Sequence, residues 1–147
     1  MAAIGFYHLT RTDVAAALPA LLGRTLAAGQ RAVVRATDAG LIEALDASLW
    51  LSANPDWLPH GTAASGFGAD QPIWLTTGAD VPNGARFLFL IDGAAAELAG
   101  FERVFDLFDG NDAAAVAAAR VRWGSAKAAG HELTYWQQTD RGWSRKN

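Results

Sequence analysis

The spacing of apolar residues changes twice within the first fifty positions. Ile4–Leu9 (IGFYHL) is a near-continuous apolar run of strand length, after which Leu18, Leu21, Leu22 and Leu26 recur at helical spacing. Arg31–Ala36 (RAVVRA) reads as a second short strand, and Leu41, Ile42, Leu45, Leu49 and Trp50 form a second helical stripe. Thr12 or Asp13 can cap the first helix, which runs to about Ala28 and stops at Gly29. Pro19 lies inside it and predicts a kink or a delayed start. Asp38 caps the second helix. The order strand–helix–strand–helix predicts an α/β domain with a parallel sheet.

The period is lost over residues 52–71 (SANPDWLPHGTAASGFGADQ), which hold two prolines and three glycines. A loop of that length in a compact domain is often functional. Pro72–Thr77 (PIWLTT) and Arg86–Asp92 (RFLFLID) are the next strands, joined by a turn around Pro82, Asn83 and Gly84. Phe101–Phe108 (FERVFDLF) fits either a strand or a short helix. Residues 109–130 (DGNDAAAVAAARVRWGSAKAAG) give the clearest helix, capped by Asn111 or Asp112, sustained by alanines and ended by Gly130. Glu132–Thr139 (ELTYWQQT) closes the chain as a strand or an extended arm, and residues 143–147 are expected to fray. No repeat or linker divides the chain, so residues 1–147 read as one domain.

Composition narrows the class. Of the 147 residues 51% are hydrophobic and 18% charged, which excludes global disorder and suits a packed core. No apolar run approaches the roughly 18 residues of a membrane span. The first residues enter a strand pattern directly, without a basic segment followed by a long apolar one. No signal peptide and no membrane partner are expected, and the cytoplasm is the default location. The absence of cysteine excludes a disulfide scaffold, a thiolate metal site and a cysteine nucleophile. The net charge of −3 conceals an asymmetry. Arg120, Arg122, Lys127, Arg141, Arg145 and Lys146 face only Glu132 and Asp140 after residue 119, leaving that end basic and the rest strongly acidic. A confined basic zone suits a small acidic ligand or peptide better than a nucleic-acid duplex.

Motifs for catalysis are missing. There is no G-x-x-x-x-G-K-[ST], and Gly66–Gly68 lacks the third glycine and precedes a strand instead of following one. His8, His60 and His131 share no metal-ligand spacing. His8 reads as a strand-end residue, His131 as a helix-terminus cation, and His60 as a turn or interface histidine before an acid–base group. Asp92, Asp106, Asp109 and Asp112 cluster in sequence as a magnesium site might, but two of them flank glycines and Asp112 is explained as a cap. No G-x-S-x-G elbow is present. These readings imply no cofactor, no metal and no enzyme activity.

On the last helix Val116, Arg120, Trp123 and Lys127 are spaced by four, three and four, and share a face. Ala114, Ala117, Val121, Gly124 and Ala128 follow the same spacing on a neighbouring face, small enough to pack closely on a sheet. Arginine can take a carboxylate with two parallel hydrogen bonds, and a half-exposed tryptophan offers apolar area to an aromatic group. The mixed face therefore describes a pocket for a peptide ending in an aromatic residue with a free carboxylate. The bland alternative makes Trp123 core and leaves the cations to solvate the helix.

Short stretches along the whole chain carry a family likeness: "FYHL", "LW" at 49–50, "WLPHG" at 57–61, "QPIWLT" at 71–76, "FDLFDGND" at 105–112, then "AARVRW", "GHELTYWQQ" and the final "GW". In that order and at those intervals, the chain resembles the chi subunit of bacterial DNA polymerase III. The resemblance implies a single three-layer α/β domain with an open, mostly parallel sheet of nucleotide-binding-like topology and no phosphate loop. It implies two protein partners: the psi subunit of the clamp loader, and the acidic C-terminal tail of single-stranded DNA-binding protein (SSB), which ends in a phenylalanine carboxylate. The tail would bind beside the last helix, at positions matched by Arg120 and Trp123, with Val116, Arg122 and Lys127 at or next to other tail-facing positions. Val116 and Gly124 replace lysines of the family pattern, making the pocket less basic. Psi would use an aromatic before the Pro-His turn, which is Trp57, with Leu58, Pro59 and His60 alongside; a helicase is a second candidate for that surface. Trp50 and Trp74 read as core or rim. The expected function is non-catalytic bridging. Two alternatives stand beside it: a nucleotide-binding protein or hydrolase on the same fold, and a direct binder of single-stranded nucleic acid stacking bases on Trp123, Trp136 and Trp143. The net negative charge disfavours strong direct DNA binding.

Overall fold

The structure is a computed structural model that describes residues 2–52, 57–94 and 96–147. Residues 53–56 of the predicted 52–71 loop lie outside the described residues. The elements run β1 (Ala3–Leu9), α1 (Val14–Ala27), β2 (Ala32–Arg35), α2 (Ala39–Trp50), β3 (His60–Thr62), a 3-10 turn (Gly68–Asp70), β4 (Ile73–Thr76), β5 (Phe87–Leu90), β6 (Arg103–Asp109), α3 (Ala113–Ala128), β7 (Glu132–Thr139) and β8 (Gly142–Arg145). Eight strands form one sheet in the order β3-β4-β2-β5-β6-β1-β7-β8. All neighbours are parallel except β7 and β8.

Two apolar layers enclose that sheet. On one face α1 and α2 bury Leu18, Leu21, Leu22, Ile42, Leu45 and Leu49 against Tyr7, Val34, Phe89 and Phe105. On the other, α3 and the loops after β4 and β5 cover Ile4, Phe6, Val33, Leu88 and Val104. Helices on both faces of a parallel sheet explain why β5 (FLFL) is buried at every position. The interior strand β1 is paired on both sides, so Phe6 lies between Asp106 and Tyr135, and Tyr7 between Leu107 and Trp136. Among the described residues no helix is long and apolar enough to cross a membrane.

Local chemistry starts each helix. Asp13 accepts the Ala16 N–H at 2.8 Å, Asp38 the Gly40 N–H at 2.8 Å, and Asp112 the Ala114 N–H at 3.0 Å. Asp13 and Asp112 are thus the caps, ahead of Thr12 and Asn111. Pro19 sits inside α1 without delaying its start. Gly130, at φ +83°, ends α3 in a conformation open to glycine.

The two readings left open are settled, and two expectations change. Arg103–Asp109 form strand β6, and Glu132–Thr139 form strand β7 beside β1. The turn at Pro82 and Asn83 connects β4 to β5, but the two are parallel and β2 lies between them. Part of the long loop pairs with β4 as β3, an edge strand too short to show a period. The end of the chain does not fray at 143: β8 folds back on β7, and Trp143 packs edge-on against Tyr7 with ring centres 5.0 Å apart. The Tyr135 N–H also donates to Asn147 Oδ1 at 3.0 Å. Replacing Trp143 by Ala is therefore expected to cost about 2 kcal/mol in a urea unfolding series, below the roughly 3–5 kcal/mol of a fully buried aromatic. A change under about 0.5 kcal/mol, normal for an unpacked surface position, would show the terminus to be dispensable.

Candidate functional site

Helix α3 meets the sheet on a face that its small residues do not reveal. Ala119 is buried, and Val116, Trp123 and Ala126 pack partly against the core. The set Ala114, Ala117, Val121, Gly124 and Ala128, expected to pack on the sheet, is exposed instead, with Val121 70% accessible. The phase is set by the larger groups. Trp123 packs edge-on against Phe6 at 5.2 Å and Tyr135 at 5.8 Å, and that apolar area outweighs anything an alanine face could bury.

Three of the predicted residues come together. Val116, Arg120 and Trp123 line one cavity of about 220 Å³ with Ala119 of α3, Phe108 at the end of β6 and Tyr135 of β7. Trp123 is half-buried, so it belongs to the core and to the cavity wall at once. Arg120 is exposed and makes no ion pair among the described residues. Phe108 and Tyr135 complete an aromatic floor that extends to His8, whose ring lies 5.1 Å from Phe108 and whose Nδ1 is 2.6 Å from Tyr135 Oη. Gly110 allows this: a Cβ there would collide with the His8 ring and the Leu9 carbonyl. Burial raises the Tyr135 hydroxyl pKa, while the charge of Arg120, which lines the same cavity, pulls the other way. An apolar, aromatic cavity beside an unpaired guanidinium can accept an aromatic side chain that carries a carboxylate.

Arg122 and Lys127 stand apart from it. Arg122 turns to the opposite flank of α3 and clamps Asp106 of β6 through Nε (2.7 Å) and Nη2 (2.9 Å). Asp106 is buried, and burial pushes its carboxyl pKa up while Arg122 opposes the rise. That pair lies in the wall of a second, larger cavity of about 710 Å³ between α3 and residues 93–94 and 96–101. Lys127 is exposed in the last turn of α3, one turn beyond Trp123 and outside the cavity lining.

The 57–60 group divides as well. Trp57 is 73% exposed, whereas Leu58 is buried and Pro59 partly so. His60 is buried, with Nδ1 2.7 Å from the Leu58 carbonyl and Nε2 3.1 Å from the Asp46 carbonyl, and fastens the segment to α2. Trp50, packed on His60 at 4.6 Å, and Leu51 are exposed with Trp57. Three large exposed apolar residues thus fall within eight positions, from the end of α2 to the approach to β3. Of the two tryptophans read as core or rim, Trp50 lies at the surface and Trp74 is core, its Nε1 donating to Asp80 at 2.7 Å.

The remaining candidates have structural roles. His131 Nδ1 accepts the Ala2 N–H at 3.2 Å. Asp92 receives the Thr37 N–H and hydroxyl at 2.8 Å, and Asp109 the Asn111 N–H at 2.9 Å. With Asp112 and Arg122 they line a cavity of about 410 Å³, but among the described residues no three acids or histidines are grouped closely enough to hold a metal ion. Trp136 and Trp143 pack with Tyr7 on the α1 side of the sheet, across from Trp123.

The sequence model of the family described as "DNA polymerase III chi subunit, HolC" matches residues 1–134. A protein of Rickettsia prowazekii (strain Madrid E) named "Probable DNA polymerase III subunit chi" is 28% identical over 91 residues, covering 62% of this chain and 55% of that protein. The match thus spans little more than half of that relative's length.

The Arg122–Asp106 pair makes its own prediction. Arg122→Ala would strand a buried carboxylate and cost about 3–5 kcal/mol. Its native carboxyl pKa would then lie further above the unfolded value, so the native state would hold the proton more tightly. The loss should be largest at neutral pH and shrink as pH falls toward the ordinary aspartate range. Urea unfolding across pH checks this, and a loss independent of pH would refute the electrostatic account.

Proposed function

Since the chain belongs to the DNA polymerase III chi subunit family, a replication accessory subunit, we propose that it is a non-catalytic bridge between the clamp loader and DNA-bound SSB. One surface, around Trp57, holds the psi subunit; the other, beside α3, captures the SSB tail. The observation that carries the reading is the single cavity shared by Val116, Arg120, Trp123, Phe108 and Tyr135. The terminal phenylalanine ring enters the apolar cavity, and its carboxylate meets Arg120 at the mouth. Lys127, further along the exposed side of α3, attracts the acidic residues upstream. Arg122, already committed to Asp106, holds the helix in place and does not touch the tail.

Each tail contact is small and partly solvated, so its affinity is modest and falls with salt. Many tails crowd one coated strand, and local concentration then supplies what intrinsic affinity does not. Trp57, with Trp50 and Leu51, offers psi the exposed apolar anchors that interface cores favour. A single strand stacked on all three C-terminal tryptophans has less support, because Trp123 lies on one side of the sheet and Trp136 and Trp143 on the other.

Titration of a fluorescent peptide copying the tail of the host's SSB is expected to give saturable binding, weakened about tenfold or more by Arg120→Ala. Trp57→Ala should leave that binding unchanged and abolish co-purification with psi. No binding by folded wild type, or full binding by Arg120→Ala, would refute the pocket. Gly124 is helical, exposed and clear of other atoms, so Gly124→Lys should stabilise α3 by about 0.5–1 kcal/mol. The same change should tighten the tail about two- to fivefold at low salt.

A further inference from the structure

Arg35 ends β2, and its residue surface is 5% exposed. Among the described residues its Nε and Nη2 have no hydrogen-bond partner. Buried guanidinium donors without acceptors are uncommon in folded proteins and call for an explanation. Arg35 forms one wall of a partly open cavity of about 180 Å³, lined also by Ala36, Thr37, the 77–79 turn, Ala94 and Ala96. The cavity lies beyond the carboxyl ends of the parallel strands β2, β4 and β5, where open α/β sheets take ligands.

Arg122 shows what the vacant edge of Arg35 can do. Arg122 uses Nε and Nη2, the side-on edge of the guanidinium, to hold both oxygens of Asp106. The same two atoms are free on Arg35. Asp80 is the carboxylate nearest in influence, but its oxygens accept from the Thr76 hydroxyl at 2.6 Å and Trp74 Nε1 at 2.7 Å and not from Arg35. Burial works against charge on Arg35 and Asp80 works for it, without a direct ion pair between them. Asp80 therefore supplies charge balance and leaves the donors unmet. It also penalises a doubly charged occupant, and no glycine-rich phosphate loop is present to offset that penalty.

We propose that this cavity is a binding site for a small carboxylate, held side-on by Nε and Nη2 of Arg35. The site is separate from the tail cavity, which is lined by α3, β6 and β7, and stands whether or not the tail binds there.

Thermal unfolding of the full chain with sodium acetate, against sodium chloride and sodium phosphate at matched ionic strength, tests it. Acetate should raise the melting temperature saturably and shift the Arg35 Nε–H resonance, with no such effect from chloride and a weaker one from phosphate. Arg35→Met should abolish the acetate response without lowering the melting temperature of the unliganded protein, because it removes unmet donors and retains apolar volume. Arg35→Lys keeps the charge but loses the fork, and should diminish the response. No acetate effect beyond chloride, or an effect that survives in Arg35→Met, overturns the proposal. So does a phosphate response equal to that of acetate. A markedly lower melting temperature for unliganded Arg35→Met would also overturn it, by showing that the donors are already satisfied in the free protein.

Discussion

Burial of β1 on both faces is the constraint on which the rest of this structure depends. The strand pairs on both sides, with β6 and β7, and its side chains alternate between the two apolar layers. Phe6 supports Trp123 beneath α3, while Tyr7 supports Trp136 and Trp143 on the other side. A slip of one residue would exchange these sets, removing the packing that fixes α3 and the packing that holds β8 together. The candidate tail pocket thus depends on a strand that contributes no residue to its lining.

The rotation of α3 on that support is fixed by the packing of Trp123 on Phe6 together with one ion pair, from Arg122 to the buried Asp106. Arg122 reaches inward and sideways to Asp106. Arg120, two residues earlier, points about 200° away around the helix, toward the opposite flank. The same geometry keeps one arginine structural and leaves the other free for a ligand. Arg35 completes the comparison, since it is buried like Asp106 but lacks a partner such as Arg122 found. Charge in this protein has to be read from pairing, because the total of −3 reveals none of it.

What the sequence made legible was local or strongly periodic. The caps at Asp13, Asp38 and Asp112 act over two or three residues, and the stripes of α1 and α2 contrast clearly with their polar faces. The helical half of the cavity, Val116, Arg120 and Trp123, could be read for the same reason. Its other half could not: Phe108 and Tyr135 come from strands, and only the parallel order β6-β1-β7 brings them beneath α3. The phase of α3 was misread because alanine occupies every side of it, and the residues that decide its rotation find their partners at Phe6 and Asp106. β3 and β8 were hidden by length, being strands of three and four residues held at the two edges of the sheet by pairing with β4 and β7. Trp57 stood out because prolines broke the pattern around it, but the burial of Leu58 and His60 beside it depends on α2 and could not be inferred from that break.

The strand order also gives the proposed bridging role a geometry. The Trp57 surface adjoins β3, first in the sheet, and the α3 cavity is walled by β7, seventh in it. Six steps of about 4.8 Å put these strands roughly 29 Å apart. At that separation a protein on the β3 side and a short peptide on the α3 side do not compete for space, so occupation of one does not by itself exclude the other. Between them lie parallel strands buried on both faces, an unsuitable medium for a conformational signal but a stiff spacer. A bridge needs two sites that stay occupied together and a body that does not yield between them. The physical demand is for rigidity, and communication between the ends would add nothing to a tether whose strength comes from local concentration.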